Sequence, residues 1–137
     1  TMLLEEEGIE AAWRRQRILA DATRAAVEAW GENGGPVELN VQDEDARANA
    51  VTTILTRGFP PAALRKLCED QMGVTLGIGL GRYAGTSFRI GHMGWLNPPM
   101  ILGTLGAVET AFNVMGVRHG AGVAAAAETI ARGLSEA

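Results

Sequence analysis

Apolar positions in the first thirty residues recur at a helical interval. Ile9, Trp13, Leu19, Ala20, Val27 and Trp30 fall near one stripe. On the other side Glu10 and Arg14, Arg17 and Asp21, and Arg24 and Glu28 stand four apart, a ladder of weak, solvated ion pairs. The pattern predicts a long amphipathic helix over 9–30 that covers a sheet. Gly8 is a predicted break, and Gly31 with "ENGGP" ends the helix. Helical character starts at the second residue, with only Thr1 to cap it, so the chain is expected to enter mid-structure.

The period then shifts towards two. "AVTTILT" (50–56), "VTLGI" (74–78) and "SFRIG" (87–91) predict strands, and the shorter "VELNV" a weaker one. Between the first two, "PPAALRKLCEDQMG" reads as a helix opened by proline and closed by Gly73. The last two strands are predicted to pair antiparallel through "GLGRYAGT". Asn97 with Pro98 starts a helix that runs to about Met115, and a final helix spans about 120–135. These elements make an α+β two-layer domain: a small, mostly antiparallel sheet of three to four strands with helices packed on one face. The helix from Pro98 carries a core stripe of Ile101, Leu105, Val108, Phe112 and Met115. A second stripe holds Met100, Gly103, Ala107, Ala111 and Val114, to be covered by the last helix, another domain or a second subunit.

Alternation sorts the strand residues by face. Val74, Leu76, Ile78, Phe88 and Ile90 point towards the helices. Thr75, Gly77, Gly79, Ser87, Arg89 and Gly91 take the other face, which places Arg89 among small residues with room around it. Glycines inside strands are costly unless something needs that room. A planar guanidinium there suits a carboxylate or a phosphate. It equally suits simple solvation, and the pattern alone leaves both open.

Composition narrows the classes. The 137 residues amount to one domain, and the net charge of −4 gives no reason to expect nucleic acid or an anionic membrane as partner. No apolar run has membrane length. The lone cysteine, Cys68, excludes an internal disulfide and fits a buried thiol in a reducing, cytoplasmic compartment. The basic residues comprise eleven arginines and a single lysine, Lys66.

Several motifs do not survive inspection. "GLGRYA" (79–84) matches a dinucleotide fingerprint, but a strand follows it instead of a helix, and no acidic residue falls about twenty positions on. His92 and His119 lack metal-ligand spacing, so no metal site is expected. His92 reads as a local hydrogen-bonding residue and His119 as an exposed turn residue. Ser87 and Ser135 show no nucleophile elbow. Trp13, Trp30 and Trp95 read as packing residues.

"GLGRYAGTSFRIGHMGWLNPPMILGTLGAVETAF" resembles the small C-terminal domain of the alanine–glyoxylate and serine–glyoxylate aminotransferases, in the class V, fold-type I, pyridoxal-phosphate group. "LLEEEGIEAAWRRQRILADATRAAVEAWG" resembles the long helix joining their two domains, and "AVTTILTRGF" with its Pro-Ala-Ala-Leu helix also fits. Trp95 departs from the acidic residue common before Leu-Asn in serine–glyoxylate relatives.

The resemblance implies a linking helix over 1–31 and a small domain over 32–137, with the large cofactor-binding domain absent. It implies that Arg89, in Arg-Ile-Gly, grips the substrate carboxylate. Gly79 and Gly81 would lie at the active-site mouth, with His92 and Met93 near it as structural residues. The implied reaction moves an amino group from a small amino acid, serine or alanine, to an oxoacid such as glyoxylate. It uses pyridoxal 5'-phosphate, in a homodimer. Such chemistry needs a lysine, and Lys66 has the surroundings of an exposed amine, so these 137 residues alone are expected to be inactive. Two alternatives stand beside this: a non-catalytic amino-acid-binding or interaction module, and another class V enzyme. The latter would want a reactive loop cysteine, which Cys68 on a helix does not supply.

Overall fold

The computed structural model describes residues 2–32, 35–39, 51–79, 85–91 and 97–135. Eight elements follow in order: α1 (Met2–Trp30), β1 (Val37–Leu39), β2 (Val51–Thr56), α2 (Pro61–Met72), β3 (Gly77–Ile78), β4 (Ser87–Gly91), α3 (Pro98–Met115) and α4 (Gly122–Ser135). The four strands form one open antiparallel sheet in the order β1-β2-β4-β3, and the fold is an α+β domain.

Local chemistry sets the helix ends. The Asn97 side chain accepts a hydrogen bond from Met100 N at 2.9 Å, and Pro98 needs no donor in the first turn. Gly73 and Gly116 close α2 and α3 at φ of 67° and 72°, backbone that a side chain disfavours. Gly8 does not break α1. An exposed glycine costs a helix about 1 kcal/mol relative to alanine, too little to interrupt 29 residues.

The core lies between the sheet and the helices. Val37, Ile54, Phe88 and Ile90 of the sheet are buried against Leu19, Val27, Trp30, Leu64, Ile101, Leu105 and Phe112. Phe112 sits edge-on to Trp30 at 5.2 Å and to Phe59 at 5.8 Å between ring centroids. The C-terminal half of α1 and α4 run antiparallel in close contact. A Cβ on Gly122 would stand 2.1 Å from Trp30 Nε1, and one on Gly133 2.7 Å from Ile18 Cγ1, so both positions demand a bare backbone.

Some expectations are corrected. The segment 74–78 pairs as a strand only at Gly77–Ile78, at the sheet edge. Leu76 is buried as predicted, but Ile78, on the edge strand, is exposed; among the described residues no strand lies beyond it. Trp13 is 71% exposed: α4 meets α1 at Ile18 through Gly133, two residues before α4 ends at Ser135, and Trp13 lies more than a turn further along α1. The second stripe of α3 splits: Ala107 and Ala111 are buried, whereas Met100 and Val114 at its two ends stay exposed. Among the described residues no helix is long and apolar enough to cross a membrane.

Candidate anion-binding site on the sheet

Arg89 occupies the middle of β4, an inner strand. Its Cα partners are Thr53 on β2 and Gly77 on β3, so all three share one rung and one face. Phe88 and Ile90, to either side, are buried in the core, which locks the strand and sends Arg89 to the opposite face. The sequence pattern predicts that much.

The room expected around Arg89 is only partly there. Thr53 and Ser87 on the same face are buried at 8% and 0% exposure, and Arg89 itself is half-buried. The space left by Gly77 is taken by the arginine's own stem. A Cβ on Gly77 would meet Arg89 Cβ at 3.2 Å and Nε at 3.4 Å. Lying across the glycine, Arg89 Nε donates to the main-chain carbonyl of Ile78 at 2.9 Å. This carbonyl belongs to the edge strand. Among the described residues it is the one acceptor that Arg89 engages by a hydrogen bond, made through Nε and not through the two terminal nitrogens.

Of the other residues singled out by resemblance, Gly79 is buried directly after β3, while Gly81, His92 and Met93 lie outside the described residues, as does Trp95. Thr53 and the Ile78 carbonyl escaped the sequence reading. Only strand register brings them to Arg89, and register is not legible from one strand at a time. His119 is corrected from exposed to half-buried: its Nδ1 lies 2.9 Å from Val117 O and its ring 5.2 Å from Phe112.

Two further features do not join this site. A surface cleft of about 740 Å3 includes Glu32, Arg57, Phe59, Arg118 and His119 in its lining, but not Arg89. Its charges oppose one another, and Arg57 is already paired with Glu38. Cys68 is fully buried, and burial pushes its thiol from 9.0 up to about 11, an inert state.

The requirement for a cofactor amine can be tested on the residues present. The one lysine, Lys66, is exposed on α2. The neighbouring Leu64 and Cys68 of that helix join the core with Phe88 and Ile90, so α2 lies on the sheet face opposite Arg89. Lys66, the one lysine, therefore does not share a sheet face with Arg89.

The chain as a whole is similar to known proteins. The chain is 37% identical over 126 residues to the serine–glyoxylate aminotransferase of Methylorubrum extorquens, covering 90% of this chain and 30% of that protein. It is 38% identical over 130 residues to the serine–glyoxylate aminotransferase of Arabidopsis thaliana, again 90% of this chain and 30% of that protein. The crystal structure of pyridoxamine–pyruvate aminotransferase from Mesorhizobium loti superposes with a TM-score of 0.80 at 31% identity, over 95% of this chain and 33% of that one. No protein-family model matches. The chain thus spans about a third of the length of the relatives it matches. In sequence and fold it is similar to the C-terminal part of aminotransferases of class V, the serine–glyoxylate aminotransferases among them.

Proposed function

We propose that this chain is the substrate-carboxylate-binding small domain of a pyridoxal-phosphate-dependent transaminase, with α1 as the helix that links it to a large domain. The whole enzyme, acting as a homodimer, moves an amino group from a small amino acid, serine or alanine, to an oxoacid such as glyoxylate. One observation carries the reading: a half-buried arginine on an inner strand, with its terminal nitrogens unengaged among the described residues. The names of the relatives supply the substrate class.

The chain's own part is to bind and orient. A carboxylate meeting the two terminal N–H edges of Arg89 forms parallel charge-assisted hydrogen bonds, which fix its plane as well as its position. Fixing that plane limits the rotation of the neighbouring Cα–H and Cα–N bonds, the bonds that react. The sheet holds Arg89 still, because Phe88 and Ile90 on either side are locked in the core. Pyridoxal phosphate, when bound, supplies the electron sink for the chemistry. The groups that hold it belong to the rest of the protein, because the one lysine here is exposed on α2. The same fact favours a second reading for these residues on their own, a non-catalytic amino-acid-binding module.

The test is made in the full-length protein. Arg89→Ala should raise KM for amino and oxo substrates and lower kcat/KM on the order of a hundredfold, as loss of one partner of a charge pair does. Cofactor absorbance should hardly change. Arg89→Lys should rescue poorly, since an ammonium lacks the planar fork. If Arg89→Ala leaves kcat/KM within about twofold, too small a loss for a charge pair, the assignment is wrong.

A further inference from the structure

The contact between Arg89 and the edge strand is unusual in being made by Nε and not by the outer nitrogens. Nε reaches the Ile78 carbonyl at 2.9 Å, and the stem passes over Gly77, where a Cβ would come within 3.2 Å of Arg89 Cβ and 3.4 Å of Nε. The 3.2 Å approach is tight for carbon and sits at the stem and not at a flexible tip, so a side chain at position 77 makes the arginine stem give by a few tenths of an ångström. Gly77 is not at a positive φ, and β3 is an edge strand, so neither turn geometry nor sheet pairing demands glycine there. Glycine in a strand weakens it. The glycine is explained by the arginine that lies on it.

We infer that Gly77 and the Ile78 carbonyl are positioning elements for Arg89: they tie Nε to the edge strand, so that the guanidinium meets a carboxylate end-on through its two terminal nitrogens. This rests on the carboxylate-binding reading above and adds how the fork is aimed. With Nε tied down, the side-on approach through Nε and one terminal nitrogen is closed, and the stem gives up its rotational freedom on folding instead of on binding. Pre-paid ordering of this kind strengthens binding without any new contact to the ligand. Gly77 acts through Arg89 alone and touches no substrate.

The experiment combines a spectroscopic and a kinetic arm. In the full-length protein, nitrogen-15 spectra of the arginine side chains should show Arg89 Nε–H protected from exchange with solvent, and Gly77→Ala should abolish that protection. Kinetically, Gly77→Ala should raise KM for amino and oxo substrates about tenfold while kcat changes less than about threefold. In an Arg89→Ala background the same substitution should have no further effect, because the residue it acts through is gone. Circular dichroism establishes that Gly77→Ala folds, and Gly77→Ser, a second variant at that position, should reproduce the loss. An Arg89 Nε–H that exchanges as fast as an exposed arginine overturns the inference. So does a Gly77→Ala loss of equal size with and without Arg89, which marks a general effect on the fold. If Arg89→Ala itself leaves KM unchanged, the carboxylate assignment fails, and the exchange measurement still decides whether the tether exists.

Discussion

Arg89 and Cys68 show how differently two single residues are legible. The face of Arg89 follows from alternation with Phe88 and Ile90, and the family resemblance of Arg-Ile-Gly marks the same residue independently. Its setting was not legible. That Thr53 flanks it and Ile78 holds it depends on how β2 and β3 slide against β4, and this register is fixed by packing across the sheet. Cys68 reads as a buried thiol from sequence and is one, with its pKa raised from 9.0 to about 11 by burial. Between those values the folded chain keeps a proton that the unfolded chain has lost, so stability falls as pH rises through the window. Thermal unfolding of the native chain should therefore show a decline from pH 9 to 11 that is smaller in Cys68→Ala. Below pH 9 that variant will be less stable, because it leaves a small cavity. At pH 8 a thiol reagent should modify Cys68 only as fast as the protein unfolds. Rapid modification under native conditions would contradict the burial.

Among the elements, α4 depends on a carboxylate from its neighbour. One oxygen of Glu109, on α3, accepts from Gly122 N at 2.8 Å, Val123 N at 3.3 Å and Trp30 Nε1 at 3.0 Å. It thus caps the start of α4 and satisfies the buried indole of α1 together, and a negative charge there suits the helix dipole. Glu109→Ala strands these donors and should cost about 3 kcal/mol, read from the denaturant midpoint. Glu109→Gln keeps an acceptor oxygen and should recover much of that loss. If alanine and glutamine are equally harmful, the oxygen is not what matters. Helix limits were legible because they have local causes: Asn97 and Pro98 start α3, and Gly73 and Gly116 end α2 and α3. β3 was not, because "VTLGI" alternates as a strand should, yet only Gly77 and Ile78 find a partner on β4. Alternation records which side chains prefer burial, whereas strand pairing needs a neighbour within reach.

At the scale of the whole molecule, α1 is about 43 Å long and α4 about 21 Å, so α4 covers only half of its partner. Beyond α4, the residues Glu10, Ala11, Trp13, Arg14 and Arg15 are all exposed, which explains why helical periodicity misjudged Trp13. Periodicity finds the apolar stripe but not where the covering element stops. The proposed function carries its own prediction at this scale. Mixing these 137 residues with pyridoxal phosphate and reducing with borohydride should give at most weak labelling of Lys66 or the N-terminus, and no amino transfer. Stoichiometric labelling of Lys66 with measurable transfer would refute the proposed division of labour between domains. The pairing of α1 with α4 also bears on time. It joins two ends of the chain separated by on the order of a hundred residues, and contacts that distant form slowly. On a ribosome α4 emerges after the other described elements, so the side of α1 from Ile18 to Trp30 that faces Gly122 and Gly133 waits without that cover until synthesis of this segment is nearly complete. A chain ending before Gly122 should therefore stay trapped in that waiting state, binding chaperones or aggregating, however well its sheet could otherwise assemble.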